Sequence, residues 1–367
     1  MTRAIAFLDG SRRRDYGARL ARLRWRRASG ADSIQDFEPS RPIKAALGAA
    51  GEWILVADSS ALPAVSPIPP IPAGGLLVGR PSEPNPALHT IRELEACPAA
   101  LPAREGAKPL AWAFRSAEVE VGEGETADEL ICRLERRAHS DGSAWFPIVV
   151  FEEPSSRERP ELTRRLTREE LRILDAGCGA GAGIAAARLR HPGWVVTGIE
   201  RDPRLAERAR SFCDRVLEGD LREILPRLAE EGERFDALVF GDVLEHLPEP
   251  VEALRAARRL AASDAMLLAS VPNVGHLSVL RDLLHGRFDP IPAGLCDVGH
   301  LRWFTRTSLR EALEEAGWSS IRVDREAGAP PPEPDGLLAL ARRWPEGDPE
   351  SLMTDQWIAT AEAHRNT

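Results

Sequence analysis

The chain has 367 residues, of which 57 are acidic and 48 are lysine or arginine, and its net charge is −9. This length favours two domains, and the negative charge argues against nucleic acid as a partner. Apolar residues make up 43% of the chain and charged residues 29%, as is usual for soluble globular proteins. No apolar run approaches the ~20 residues that a membrane span needs, so we expect a cytoplasmic protein.

The cysteines point to the same compartment. They are odd in number and scattered, without the C-x-x-C spacing of metal sites, which predicts reduced thiols rather than a disulfide framework. They are Cys97, Cys132, Cys178, Cys213 and Cys296. Arginine dominates the basic residues and alanine is abundant, which is typical of bacterial genomes of high GC content.

Residues 1–155 are predicted to form a smaller α/β domain. Residues 4–8 and 53–58 predict strands. The arginine-rich residues 12–27 fit the solvated face of an amphipathic helix better than a patch for nucleic acid or acidic lipid. The proline-rich residues 63–75 predict a surface loop rather than a ligand for a proline-binding module.

The order of these segments resembles a nucleotide-sugar-binding glycosyltransferase domain of the GT-A type. In that family a strand ends in a D-x-D motif that holds the metal of the sugar nucleotide, whereas here Asp58 is followed by two serines. A later segment, residues 113–133, carries Ala127 where the family has the first member of an acidic pair. The resemblance implies a degenerate, inactive domain, and the alternative is an unrelated accessory domain. A charged linker is predicted at residues 152–164.

The stretch from Ile173 to Gly183 predicts a buried strand, a glycine-rich turn and the start of a helix. Alternate glycines let the backbone approach a ligand, and the helix N-terminus offers unpaired N–H groups. The turn formally fits the dinucleotide pattern G-x-G-x-x-G/A, with Ala182 in the last place. Asp175, two residues before the first glycine, would repel a pyrophosphate. It suits the cationic groups of S-adenosylmethionine (SAM).

Strands alternate with helices through residues 161–367. The predicted strands are residues 171–174, 194–199, 215–218, 235–242, 265–271, 318–323 and 355–361. The predicted helices are residues 184–189, 204–212, 221–230, 251–262, 277–284, 307–317 and 337–343. Residues 167–170 are predicted to cap a helical turn before the first strand. The fold class is α/β, with a Rossmann-like sheet of seven strands whose last strand is antiparallel.

Two strings carry a family resemblance. The D-x-G-x-G-x-G string that starts at Asp175 resembles the first motif of the class I SAM-dependent methyltransferases. The string F-D-x-x-x-x-x-D-V-L-E-H-L that starts at Phe235 closely resembles a block of bacterial methyltransferases related to the ubiquinone O-methyltransferases. The insertion at residues 274–303, with the adjoining H-L-R-x-F-T string, looks like a subgroup found beside glycosyltransferases in polysaccharide or natural-product pathways. In that subgroup the insertion covers the acceptor pocket.

The resemblance implies roles for the strand ends. Glu200 stands where an acidic residue accepts hydrogen bonds from both ribose hydroxyls, in NAD and SAM enzymes alike, and a solvent-facing glutamate is the alternative. Asp220 and Leu221 match the positions that bind the adenine amine and stack on the ring. The strand-end backbone at residues 240–242 would line the methionine part of SAM. The predicted cofactor-binding residues are Asp175, Gly177, Cys178, Gly179, Gly181, Glu200, Arg201, Asp220, Leu221, Phe240, Gly241 and Asp242.

His246 and His300 are the predicted catalytic residues, because methyl transfer to oxygen or nitrogen usually needs a general base. Each also has a structural interpretation, as a hydrogen-bonded packing residue. Asp242, Glu245 and His246 share one turn over which His300 is able to close, and related methyltransferases that bind a divalent ion use a similar E-x-x-E-H block. Most proteins with the D-V-L-E-H string need no metal. We therefore predict no metal site, with a divalent ion as the alternative.

The sequence thus predicts a SAM-dependent methyltransferase that O-methylates a sugar, a glycolipid or a small natural product. Its partner would be a small-molecule or carbohydrate acceptor and not nucleic acid. One alternative is a nicotinamide-dependent oxidoreductase, against which Asp175 counts. The other is a SAM-binding regulatory or scaffold protein without catalysis, against which the intact insertion motifs count. The sequence leaves the oligomeric state open.

Overall fold

The structure is a computed structural model, and it describes residues 3–8, 33–37, 53–58, 61–63, 77–81, 111–115, 119, 122–140, 144–150, 158–291, 294–327, 336–343 and 348–363. The chain divides into two compact units. Unit 1 comprises Met1–Glu152 and Asp289–Val298, and unit 2 comprises Glu153–Phe288 and Gly299–Thr367. The predicted arginine-rich helix lies outside the described residues, as does the predicted proline-rich loop apart from its first residue.

Unit 1 contains a sheet with strands in both directions. In chain order its elements are β1 (Arg3–Leu8), β2 (Ser33–Phe37), β3 (Trp53–Asp58), β4 (Ala61–Pro63), β5 (Leu77–Pro81), β6 (Ala111–Arg115), α1 (Ala127–Ser140) and β7 (Ala144–Val150). The sheet order is β2-β1-β3-β6-β5-β7-β4, and β6 is antiparallel to both of its neighbours. The strand predicted at residues 53–58 is confirmed as β3.

Helix α1 begins at a capping box. The Thr126 hydroxyl accepts a hydrogen bond from the Glu129 N–H at 3.3 Å, and the Glu129 carboxylate accepts one from the Thr126 N–H at 2.9 Å. Leu130 and Leu134 lie about one turn apart and are both buried. One face of α1 is therefore apolar and packed, as an amphipathic helix requires.

Unit 2 is built on a second sheet, which is flanked by helices. Its strands are β8 (Glu170–Ala176), β9 (Gly193–Glu200), β10 (Arg215–Glu218), β11 (Phe235–Gly241), β12 (Ala261–Pro272), β13 (Ser319–Ala327) and β14 (Thr354–Glu362). Its helices are α2 (Pro160–Thr163), α3 (Ala182–Arg190), α4 (Pro203–Ala209), α5 (Leu221–Glu230), α6 (Pro250–Arg259), α7 (Leu277–Leu284), α8 (Arg306–Glu315) and α9 (Leu337–Ala341). None of the helices in the described ranges is both long enough and apolar enough to cross a membrane.

The order of the second sheet is β10-β9-β8-β11-β12-β14-β13. Strands β8 to β12 pair in parallel, and β14 is antiparallel to both β12 and β13. This confirms the predicted sheet of six parallel strands with an antiparallel seventh. The carboxyl ends of the parallel strands share one edge, which is where open α/β sheets bind their ligands.

The central strands are apolar on both faces. In β8, Ile173 belongs to the cluster on one face and Leu174 to the cluster on the other, and Ala237 and Leu238 divide in the same way in β11. Successive strand residues face opposite sides of a sheet, so a strand covered by helices on both faces needs an unbroken apolar run. Burying one such leucine contributes about 1.5–3 kcal/mol. The continuous runs in the sequence follow from this layering.

Two predictions just before β8 are wrong. The predicted linker at residues 152–164 is wrong in its last part, where Pro160–Thr163 form α2, while residues 152–157 lie outside the described residues. Proline suits this position because its φ is already helical and the first helical N–H has no partner in any case. The predicted helical turn at residues 167–170 is not formed, because Glu170 begins β8 and pairs with Gly193. Pairing within the sheet outweighs the local capping signal.

Candidate active site

The loop between β8 and α3 contains three glycines with positive φ, namely Gly177 (75°), Gly179 (55°) and Gly181 (82°). The N–H groups of Gly177 and Cys178 donate to the carbonyl of Ile199 in β9, at 2.8 and 3.0 Å. A Cβ at position 177 would lie 2.6 Å from Cγ2 of Val243. Glycine is therefore required there by conformation and by space, and the turn forms a backbone cradle at the carboxyl edge.

Cys178 lies in this turn, but its side chain is buried. Its Sγ is 2.6 Å from the place where a Cβ on Gly198 would stand, and the Sγ of Cys213 is 3.2 Å from the same place. Hydrogen bonding with Cys213 and burial both raise the pKa of the Cys178 thiol, so it stays protonated and fills space. Among the described residues, Cys132, Cys178, Cys213 and Cys296 form no disulfide.

Glu200, at the end of β9, fastens the glycine turn. One carboxylate oxygen accepts the N–H of Gly179 at 2.9 Å, and the other accepts the N–H of Asp202 at 2.8 Å. The side chain is half-buried, and its carboxylate keeps free lone pairs. The predicted ribose hydroxyls would donate their hydrogen bonds to these lone pairs. Arg201 follows it and is exposed.

Asp220 is the N-cap of α5. Its carboxylate accepts the N–H of Arg222 at 2.8 Å and pairs with the Arg222 guanidinium at 2.7 Å. The hydrogen bond from Arg222 lowers the pKa of Asp220 to about 2, and the charge of Arg201 acts in the same direction. Leu221 is only 8% exposed and packs in the core. The predicted stacking on adenine would therefore involve only an edge of this side chain.

Asp175, near the end of β8, is 7% exposed. Burial raises the pKa of Asp175 to about 7, the charge of Arg159 opposes this rise, and the charge of Glu200 adds to it. Removing a carboxylate from water favours its neutral form, whereas a nearby cation favours the charged form. Asp175 therefore titrates near neutral pH, and a cationic ligand at this edge would favour its charged form.

Asp242 follows β11 with a φ of 54°, which is unusual for a residue other than glycine. Its N–H donates to Oγ of Ser270 at 3.0 Å, and the Ser270 hydroxyl donates back to one carboxylate oxygen at 2.7 Å. The side-chain amide of Gln356 donates to the same oxygen, and Arg159 donates to the other. The strained backbone is thus held from several sides. Phe240 is buried beneath, so at residues 240 and 241 only backbone borders the edge.

Arg159 was missed by the sequence interpretation, which placed it in the linker. It is only 8% exposed, pairs with Asp242, and lies 3.8 Å from the carboxylate of Glu161. Burial acts to lower the pKa of Arg159, but Asp242, Glu161 and Glu245 outweigh it, so the pKa is raised and the charge is kept. The one local signal was its position directly before the proline that begins α2.

The predicted catalytic histidines lie together. The ring centroids of His246 and His300 are 4.9 Å apart, and the His300 ring packs edge-on against Trp303 at 5.6 Å. One donor atom each from Glu245, His246 and His300 lies within 4.8 Å of the others. Asp242, the fourth residue of the predicted metal alternative, is instead engaged by Ser270, Gln356 and Arg159.

In unit 2 a glycine turn follows β8, and carboxylates stand at the ends of β9 and β10. Together with the strand order, this arrangement defines a Rossmann-like methyltransferase fold. Residues 151–323 match a family whose description is "Methyltransferase domain". Unit 2 therefore contains a class I SAM-dependent methyltransferase domain. The residues present fit the cofactor, because the glycine cradle has no room for a side chain at Gly177 and a buried carboxyl group stands beside it. The match favours methyl transfer over the nicotinamide alternative.

Curated methyltransferases are similar in sequence to this chain over part of their length. The chain is 30% identical over 159 residues to a malonyl-[acyl-carrier protein] O-methyltransferase of Geobacter sulfurreducens, covering 42% of this chain and 58% of that protein. It is 32% identical over 165 residues to a ubiquinone biosynthesis O-methyltransferase of Cereibacter sphaeroides, covering 44% and 65%. The chain thus spans about three-fifths of the length of these relatives. A solved SAM-dependent methyltransferase from Archaeoglobus fulgidus is 16% identical with a TM-score of 0.39, covering 53% of this chain and 86% of that chain.

Proposed function

We propose that the protein transfers the methyl group of SAM to an oxygen atom of a sugar, glycolipid or small natural product. The observation that carries this proposal is the meeting of His246 and His300, together with Glu245, at the turn that directly follows β11. Two imidazoles next to the cofactor edge supply a general base where an acceptor hydroxyl would have to lose its proton. The two relatives named above are both O-methyltransferases, which supports oxygen as the acceptor atom.

Different residues of the chain would bind the cofactor and remove the proton of the acceptor. The backbone cradle, Asp175, Glu200 and Asp220 would hold SAM, which when bound supplies an electrophilic methyl group. His246 Nδ1 lies 3.0 Å from the carbonyl of Gly299 and donates to it, since a carbonyl only accepts. Its Nε2 is left with a lone pair that is able to take a proton from the acceptor. Holding acceptor and cofactor in line supplies the rest of the rate enhancement.

The test is calorimetric titration with S-adenosylhomocysteine, followed by transfer of labelled methyl groups to hydroxylated acceptors. We expect binding by the wild-type protein, at least about tenfold weaker binding by Asp175→Ala, and unchanged binding by Glu170→Ala. Glu170 is an exposed acidic residue at the other end of the same strand, so it controls for charge alone. Binding without transfer to any acceptor would support the scaffold alternative. No binding by the wild-type protein would overturn the proposal.

We further propose that residues 1–155 are a degenerate relative of the GT-A glycosyltransferases, as the motifs suggested. Strand β3 ends at Asp58, the position of the first carboxylate of the D-x-D motif, and the mixed sheet of unit 1 is compatible with an α/β domain of this kind. Because the second carboxylate is replaced by serine, we expect no binding of a uridine diphosphate sugar in the presence of Mn²⁺. Micromolar binding in a titration would contradict the degenerate assignment.

A further inference from the structure

Glu161, in α2, has a buried carboxylate that the site described above does not use. Only 3% of the residue is exposed, and its Oε1 is shielded from water and accepts no hydrogen bond from the described residues. Its contact with Nη1 of Arg159 is 3.8 Å long, which is beyond the range of a hydrogen bond. A buried carboxylate oxygen without a donor is rare, because its desolvation cost is not offset. A bound ligand with a suitable donor would offset this cost.

The segment that contains Glu161 covers the carboxyl edge of the second sheet. A Cβ on Gly241, at the end of β11, would lie 3.2 Å from Cδ1 of Leu162. A Cβ on Gly183, in the first turn of α3, would lie 3.2 Å from Cγ of Arg159. This segment therefore spans the gap between the end of β11 and the helix that follows the glycine turn. The methionine part of SAM is predicted to lie at the same strand end.

The charges around this segment favour a further cation. Asp242 pairs with Nη1 of Arg159, and the carboxylate of Glu161 lies near the same nitrogen. Arg165 contacts the backbone carbonyl of Glu161, and its own ion pair is with Asp324 at 3.5 Å. One guanidinium thus faces two carboxylates. A cation bound beside Glu161 would balance the second of these charges.

The α-ammonium group of SAM is a suitable donor for this carboxylate. The methionine part of SAM has two cationic groups, the sulfonium and the α-ammonium. The sulfonium has no N–H group, and its methyl group has to face the acceptor. An ammonium group has three N–H donors, and its hydrogen bond with a carboxylate is one of the strong, charge-assisted kind.

We propose that Glu161 binds the α-ammonium group of the cofactor. The proposal adds to the cofactor-binding residues one that comes before the glycine turn, in the segment that the sequence interpretation assigned to a linker. It rests on SAM as the cofactor and not on the identity of the acceptor. In a structural role Glu161 would only hold Arg159 in place. Direct binding is different, because it depends on the amino group of the ligand.

The experiment is calorimetric titration with S-adenosylhomocysteine and with its desamino analogue, which has hydrogen in place of the α-amino group. The proteins are the wild-type full chain and the variants Glu161→Gln and Glu161→Ala, each checked for folding by circular dichroism. The matched control is Glu158→Gln, because Glu158 is an exposed glutamate three residues earlier in the chain. The quantity compared is the ratio of the two dissociation constants in each protein.

We expect the wild-type protein and Glu158→Gln to bind S-adenosylhomocysteine at least about tenfold more tightly than the analogue, as one hydrogen bond to a charged group implies. In both variants of Glu161 the two ligands should bind with nearly equal affinity. A ratio that stays at its wild-type value in these variants would overturn the proposal. Equal weakening of both ligands would also overturn it, and would leave Glu161 a structural role.

The same titrations separate this proposal from the proposed function. A preference for S-adenosylhomocysteine that depends on Glu161, without methyl transfer to any acceptor, would support the binding role and count against the proposed function alone. Methyl transfer with an unchanged ratio in the variants of Glu161 would count against the binding role alone. A wild-type protein that binds neither ligand would overturn both.

Discussion

The two sides of the carboxyl edge of the sheet in unit 2 are built differently. On the β9–β10 side, Glu200 and Asp220 each accept an N–H group from the residue two positions further along the chain, and Glu200 also accepts the N–H of Gly179, 21 residues earlier. On the β8–β11 side, the carboxylate of Asp242 is held by side chains 28, 83 and 114 residues away, from Ser270, Arg159 and Gln356. The first side is made mainly of hydrogen bonds between residues close in the chain. The second is a partly buried charge network around Arg159 that exists only in the complete fold.

This difference predicts which substitutions at the site should lower the free energy of unfolding most. A local cap on a partly exposed residue contributes about 1 kcal/mol and is tolerant of change. A buried network carries large desolvation costs that are offset only while every partner is present. We therefore expect substitutions on the β8–β11 side to cost several times more than those on the β9–β10 side.

The largest effect should come from Arg159→Met. It removes a buried guanidinium and leaves the carboxylates of Asp242 and Glu161 without that compensation, so the free energy of unfolding should fall by about 3–5 kcal/mol. The control is Arg164→Met, whose partner is Glu326 and whose side chain is 59% exposed, with an expected loss of about 0–1 kcal/mol. Urea denaturation measures both. Equal losses would show that the two sides are not energetically distinct.

A smaller effect should appear in the pH dependence of Asp175. The pKa of Asp175 in the folded protein is raised to about 7, so the native state binds the proton more tightly than the unfolded chain. The stability that the raised pKa of Asp175 contributes is fully present below pH 4 and is lost as the pH rises through 7. Between pH 5 and pH 7 the loss is about 2 kcal/mol.

The measurement is urea denaturation of the wild-type protein and Asp175→Asn at both pH values. The difference between the two proteins should change by about 2 kcal/mol in favour of the variant as the pH rises from 5 to 7. Glu170→Gln, which removes an exposed charge from the same strand, should keep the wild-type pH slope. A parallel response of wild type and Asp175→Asn would show that the pKa of Asp175 is not raised in the folded protein.

The smallest effect should come from Asp220→Ala on the β9–β10 side. Losing the N-cap of α5 should lower the free energy of unfolding by about 1 kcal/mol, and Asp220→Asn should keep most of it, because the amide oxygen still accepts the N–H of Arg222. Since the pKa of Asp220 is lowered to about 2, its charge contributes stability above pH 4 that is lost only as the pH falls towards 2. A loss above 3 kcal/mol in thermal or urea unfolding would place Asp220 with the buried network.

The same division separates what the sequence predicts from what it does not. The glycine turn, Glu200 and Asp220 follow from short-range patterns, because a strand end, a turn and a helix start each leave a local signature. The alternation of strands and helices in the sequence predicted the order of the strands along the chain. The two histidines were predicted from the D-V-L-E-H and H-L-R-x-F-T strings. These elements were found because each depends on neighbours in the chain.

The roles of Arg159 and Gln356 could not be predicted in this way. Each contacts Asp242 across a long stretch of chain, and nothing in the adjacent sequence marks a partner so far away. The predicted capping turn at residues 167–170 failed for a related reason, since pairing with β9 decides the conformation of Glu170. Burial had the same effect on Leu221, whose position in the core is a property of the packed sheet.

The sheet order also determines when each strand is able to pair during synthesis of the chain. Strand β13 is made before β14, but in the sheet it pairs with β14, which lies between it and β12. Translation at about 5–20 residues per second means that β13 waits for seconds with no strand to join, while β12 keeps an open edge and Asp242 lacks Gln356. An open apolar strand edge is a pairing site for other chains. The nascent chain therefore exposes the edge of β12 to chaperones and to other chains until β14 has emerged from the ribosome.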